Sequence, residues 1–138
     1  MTNAAAHASP ATALDPWMTK LMWAAAAFNV VAGLGMILLY HEGYKLLQIP
    51  KPELALPTQL VGTLVVLFGI GYAIVARDPF GNANVLRLGW WSKALGSVLT
   101  FYHYSQGNVP WTLPVLVLFA DVAWLLPFWL IHRRIASR

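Results

Sequence analysis

The chain has 138 residues, 59% of them hydrophobic and 10% charged, with a mean hydropathy of +0.60. A soluble domain carries roughly 25% charged residues, so this chain has too few to coat a water-facing surface, and lipid is the expected solvent. Nine Lys and Arg against five Asp and Glu leave a net charge of +4, but the bases are scattered between apolar runs rather than gathered into a stripe, which argues against nucleic acid as a partner.

Residues 1–14 are rich in Ala, Thr and Ser and carry no Lys, Arg, Asp or Glu. They lack the basic and apolar regions of a signal peptide and are expected to form a mobile tail. Four stretches then reach the roughly 20 mostly apolar residues that a helix needs to cross a bilayer: residues 17–40, 58–76, 84–104 and 112–131. Asp15-Pro16 opens the first, as an N-cap followed by proline at the first helical position. The connection over residues 41–56 is the longest. Within it, residues 43–49 are expected to form a short interfacial helix stopped by Pro50 and Pro52, either a connector lying on the bilayer or a lid over an outward-facing pocket. The second span follows Pro57, the third is the most polar, and the fourth follows the turn sequence Gly107-Asn108-Val109-Pro110. Residues 133–138 read as a basic tail. The fold class is all-α, a transmembrane four-helix bundle over residues 15–132.

Lys and Arg in short loops set orientation. The side shared by both termini and the middle loop holds Lys20, Arg77, Arg87, Arg133, Arg134 and Arg138, whereas the other holds Lys45 and Lys51 balanced by Glu42 and Glu53. Both termini are therefore expected in the cytoplasm. Trp17, Trp111, Trp129, Tyr40 and Tyr104 lie near span ends, where aromatic belts form.

Asn29, Lys93 and Asp121 fall near the middle of the first, third and fourth spans. An ionisable residue at the bilayer centre costs about 2.5–3.5 kcal/mol on insertion scales and normally finds a partner inside the bundle. A Lys93–Asp121 ion pair with Asn29 beside it is the economical arrangement. On the third span Gly89, Lys93, Gly96, Ser97 and Thr100 share one face, and Leu88, Leu95, Leu99 and Tyr102 the opposite one. Gly33, Gly62, Gly69, Ala73 and Ala76 offer small surfaces for close helix approach. On the fourth span Asp121, Trp124, Leu125 and Phe128 share a face, and Pro114 and Pro127 are expected to bend the helix. Gln59, Tyr72, Ser97, Thr100 and Trp124 form a second ring of polar candidates. The pair reads either as structural register between helices or as a functional polar site. His41 and His103 lie at the outer ends of their spans, where two imidazoles on one side could in principle hold a haem, but the pair is on no recognised motif and imidazoles at interfaces are commonly just solvated. His7 and His132 carry no signal. Without cysteine, disulfides, thiol catalysis and thiolate metal sites are excluded, and no cofactor can be named.

Asn29 and Gly33, Gln59 and Gly62, and the run Gly71-Tyr72-Ala73 to Ala76-Arg77-Asp78-Pro79 carry a resemblance. Gly89, Lys93 and Gly96, then Gly107 and Pro110, then Asp121, Trp124 and Pro127-Phe128 continue it. Over about residues 20–131 the chain resembles a group of small bacterial four-span proteins of unassigned function, broadly similar to the DoxX-like membrane proteins. The resemblance implies the four-helix architecture and a bacterial inner-membrane location. The chain lacks the paired cysteines of quinone-linked thiol oxidoreductases of that shape.

Three functions compete. The first is a binding or accessory module, holding a lipophilic molecule such as a quinone or isoprenoid at the midplane, or serving as a small subunit of a larger membrane complex. The second is an oligomeric proton- or ion-coupled transporter; no inverted repeat or broken-helix pair supports it. The third is an enzyme using a desolvated Lys93 as base or Schiff-base amine, for which no nucleophile–base set is present.

Overall fold

The computed structural model of the protein describes residues 13–137 and is built from helices. Helix α1 spans Pro16–Leu38, α2 Tyr40–Leu46, α3 Leu56–Arg77 and α4 Ala83–Ser105. A last long helix runs over residues 112–136 as α5 (Thr112–Val117), a π-helical turn (Leu118–Val122) and α6 (Ala123–Ala136). The proposed tail over residues 1–12 lies outside the described residues, as does Arg138. Leu14, expected in that tail, is instead buried in the core, because the chain just ahead of α1 packs its one large apolar side chain inward. The proposed basic tail is also helix as far as Ala136, with Ile135 in the core.

Among the described residues, three helices are long and apolar enough to cross a membrane: α1, α3 and the helix over residues 112–136. Helix α4 equals α1 in length, at 23 residues each, but Arg87, Lys93, Ser97, Thr100 and His103 dilute its apolar character. Pro16 starts α1 at its first turn. The Asp15 side chain makes no capping bond; its carbonyl accepts from the Met18 and Thr19 N–H groups instead. At Leu39 the backbone leaves helical geometry (φ −120°), so the next helix begins at Tyr40 rather than at the expected Gly43, and Gln48 in the left-handed region (φ 58°) closes the turn after it.

The helices assemble as two antiparallel hairpins. In the first, α1 and α3 meet backbone to backbone. A Cβ placed on Gly33 would stand 2.5 Å from the Gly62 carbonyl oxygen, one on Gly62 2.8 Å from that of Gly33, and one on Gly69 2.9 Å from that of Ala26. The two contact levels are a heptad apart on both helices, the spacing at which a seam stays in register along a left-handed crossing. In the second hairpin, α4 packs along the π-turn and α6. The hairpins meet through Tyr72, Val75 and Ala76 of α3, Leu86 of α4, Phe128, Ile131 and Ile135 of α6, and Met18, Met22 and Ala25 of α1.

These core residues sit towards one end, where Lys20, Arg77, Arg87, Arg133 and Arg134 also lie. Among the described residues, α1 buries nothing beyond Gly33 and α4 nothing beyond Ser97. At the opposite end α2 straddles both hairpins. Tyr44 shares a 2.9 Å hydrogen bond with Thr58 at the start of α3, and the Thr112 hydroxyl at the start of α5 donates to the Leu47 carbonyl.

Candidate functional site

Lys93 is the eleventh of the 23 residues of α4 and is buried. Its ammonium donates to Asp121 Oδ1 at 2.9 Å and to the Ala120 carbonyl at 2.8 Å. The predicted ion pair therefore forms, and it has a backbone component that the sequence does not announce. An α-helix would commit the Ala120 carbonyl to the N–H four residues on. The π-turn over Leu118–Val122 makes i→i+5 bonds, as when the Ala123 N–H reaches the Leu118 carbonyl, and leaves room for a side chain to enter the ladder. Pro127, one turn further, has no N–H to offer, which loosens the same stretch. Two other donors use this segment: Trp124 Nε1 bonds the Phe119 carbonyl at 3.1 Å, and Trp90 Nε1 on α4 bonds the Leu125 carbonyl at 2.9 Å. Lys93 and Trp90 thus clamp the irregular helix from α4.

The two charges are unequally covered. The Lys93 side chain is 6% exposed and that of Asp121 27%. Among the described residues, no donor reaches the second carboxylate oxygen of Asp121. Tyr72, fully buried, packs edge-on against Phe128 at 5.0 Å, and its hydroxyl lies where a Cβ on Gly89 would sit only 2.5 Å away. Glycine at 89 is thus what lets the α3 tyrosine reach α4.

Asn29 does not join the pair by any hydrogen bond. Its amide donates to the Ala25 carbonyl on its own helix at 2.9 Å, which satisfies a buried polar group locally. The ring of polar candidates divides in the same way. Ser97 donates to the Lys93 carbonyl at 2.7 Å and Thr100 to that of Gly96 at 2.9 Å, both within α4, while Gln59 reaches across to the Ile37 carbonyl at 3.3 Å. Of the small face expected on α4, Gly89, Lys93 and Ser97 are buried, but Gly96 is exposed and a Cβ there would meet nothing within 4 Å; one residue out of step, it falls off the Lys93–Ser97 stripe. The opposite face of Leu88, Leu95, Leu99 and Tyr102 is exposed as expected. His41 pairs with Lys51 at 2.9 Å, and His103 lies 3.3 Å from the Asn108 amide; each histidine, on a helix, is engaged by a side chain from the loop that follows.

Cavities lined by described residues lie elsewhere, and two of them stand out. One, of about 150 Å³, lies at the basic end and is lined by Arg87, Trp90, Trp91, Trp129 and His132. The other, of about 450 Å³, is a groove on the α1–α3 hairpin with Trp23, Gly69 and Arg77 among its walls. Neither is lined by Lys93 or Asp121. Compared with known proteins, the chain matches no protein-family model, no curated protein and no solved structure.

Proposed function

We propose that the protein is a four-span transmembrane bundle of a bacterial inner membrane that binds a lipophilic, hydroxyl-bearing molecule at the Lys93–Asp121 pair. The observation that carries this reading is the half-satisfied carboxylate. One oxygen of Asp121 is held by Lys93; the other has no donor among the described residues, and the side chain is 27% exposed. At mid-bilayer depth no water is at hand, and an unpaired acceptor there costs several kcal/mol. A hydroxyl brought in by an apolar molecule relieves that cost. Lys93 is too deeply covered to offer its remaining N–H, so the site favours a donor such as a quinol or an isoprenoid alcohol over a head group that only accepts.

Two observations support α4 as the fourth span. Its polar side chains Lys93 and Ser97 are buried and already partnered, while Leu88, Leu95, Val98 and Leu99 face outward. The basic residues collect at one end, which favours cytoplasmic termini. Because the chain has no cysteine, single cysteines at Lys45 and Ser137 test this directly. A membrane-impermeant maleimide should label the first from outside and the second only after lysis; labelling of both from one side would exclude four spans.

The ligand is tested by solvent extraction and mass spectrometry of the purified protein after incubation with ubiquinol or a polyprenol. The wild type should retain the lipid, and a folded Lys93→Met/Asp121→Leu double variant should lose it. An empty wild type, or equal retention by the double variant, would overturn the reading.

A further inference from the structure

The cavity at the basic end is built differently from the midplane site. Arg87, in the second turn of α4, and His132, near the end of α6, face it together with the indoles of Trp90, Trp91 and Trp129. Trp90 is fixed by its bond to the Leu125 carbonyl and meets Trp91 at 89° and 5.0 Å, so the two rings form a rigid corner. Arg133 lies 4.8 Å over the Trp129 ring, adding a second positive charge at the rim. Among the described residues no carboxylate lines the cavity. The one ion pair among them is Lys93–Asp121, so none of their acids pairs with Arg87. Asp78, the acid of the neighbouring loop, is occupied by the Gly81 N–H and the Asn82 amide.

We infer that this cavity binds the phosphate of an anionic phospholipid. A basic recess between membrane helices at the cytoplasmic surface is suited to an anionic head group, and indole rings prefer that interface. At about 150 Å³ the space takes a phosphate and its immediate substituents, leaving the acyl chains on the exposed flank of α4. The missing carboxylate sets the selectivity: nothing in the recess neutralises the ammonium of a zwitterionic lipid, so phosphatidylglycerol is preferred to phosphatidylcholine. This inference rests on α4 and α6 spanning a bilayer, and it is independent of any ligand at Asp121.

The test is native mass spectrometry of the full chain from mixed micelles holding equal phosphatidylglycerol and phosphatidylcholine. The wild type should retain phosphatidylglycerol preferentially. Arg87→Ala/His132→Ala should lower that retention about fivefold or more, the roughly 1 kcal/mol that one arginine contributes near the surface. Arg87→Lys, which keeps the charge, should hold an intermediate level, and Lys45→Ala, at the opposite end of the molecule, the wild-type level. A wild type without lipid preference, undiminished retention in the double variant, or equal loss in Lys45→Ala would overturn the assignment. So would displacement of the lipid by excess inorganic phosphate, which would make free phosphate the ligand.

Discussion

A buried lysine is tolerable only if its charge is met, and here it is met twice, by a carboxylate and by a carbonyl. Removing one partner strands the other. Lys93→Met and Asp121→Leu should each lower stability by about 3–5 kcal/mol, while the double replacement, which removes both charges, should recover most of the loss. Denaturant titration in detergent measures this cycle, and additive single effects would mean that the two residues act separately. The partners were legible in the sequence because opposite charges on consecutive spans at one depth leave few alternatives. The Ala120 carbonyl was not, since a backbone acceptor has no side-chain signature. Asn29 misled for the opposite reason: an amide can satisfy itself one turn back on its own helix, and depth alone does not distinguish that from a bond across the bundle.

At the scale of the element, the two hairpins are held by different forces. Between α1 and α3 the contact is steric, glycine against backbone, and tolerates no added carbon. Gly33→Val and Gly62→Val should force the helices apart at a cost of about 1–3 kcal/mol, whereas Gly96→Ala, on an open face, should leave stability unchanged within about 0.5 kcal/mol. Thermal unfolding of the three variants in one detergent is sufficient; a Gly96→Ala loss equal to the others would refute the close-contact account. Gly33, Gly62 and Gly69 announce this seam by their spacing. Between α4 and the α5–α6 helix the contact is polar and backbone-directed, and the π-turn is its product. Proline at 127 marks an irregular helix in the sequence, but the irregularity falls a turn earlier because Lys93 and Trp124 take up carbonyls there. Which turn absorbs the strain depends on side chains from elsewhere in the fold, which local pattern does not encode.

Across the whole molecule, burial is graded. The shared core lies at the basic end, where the short connection over residues 78–82 joins the hairpins. At the other end the link is made by α2 through Tyr44–Thr58 and Thr112–Leu47. Hydropathy recovers the long helices and their order because each apolar run approaches the length that a bilayer crossing needs. It does not recover this gradient, since the outward-facing residues of these helices are largely apolar whether or not another helix stands behind them. Nor does it separate α2 from a plain connector: its position follows from the break at Leu39 and the left-handed Gln48, two backbone states that the composition of residues 41–56 leaves open.

The Lys93–Asp121 bond also has a consequence for biogenesis. On the proposed four-span reading, α4 emerges during synthesis before the residues that neutralise it, and an unpaired lysine at a span centre opposes release into lipid by about 2.5–3.5 kcal/mol. Helix α4 is therefore expected to wait beside the insertion machinery until residues 112–136 arrive, and the two to enter the bilayer as one unit. A chain cut after Asn108 should leave α4 accessible, so that a cysteine at Ser92 reacts with a membrane-impermeant maleimide there and is shielded in the full-length protein. Equal shielding in both would mean that α4 enters alone. The ion pair, on this account, sets the order of assembly as well as its end point: the first hairpin can leave as soon as its glycines meet, and the second only when it is complete.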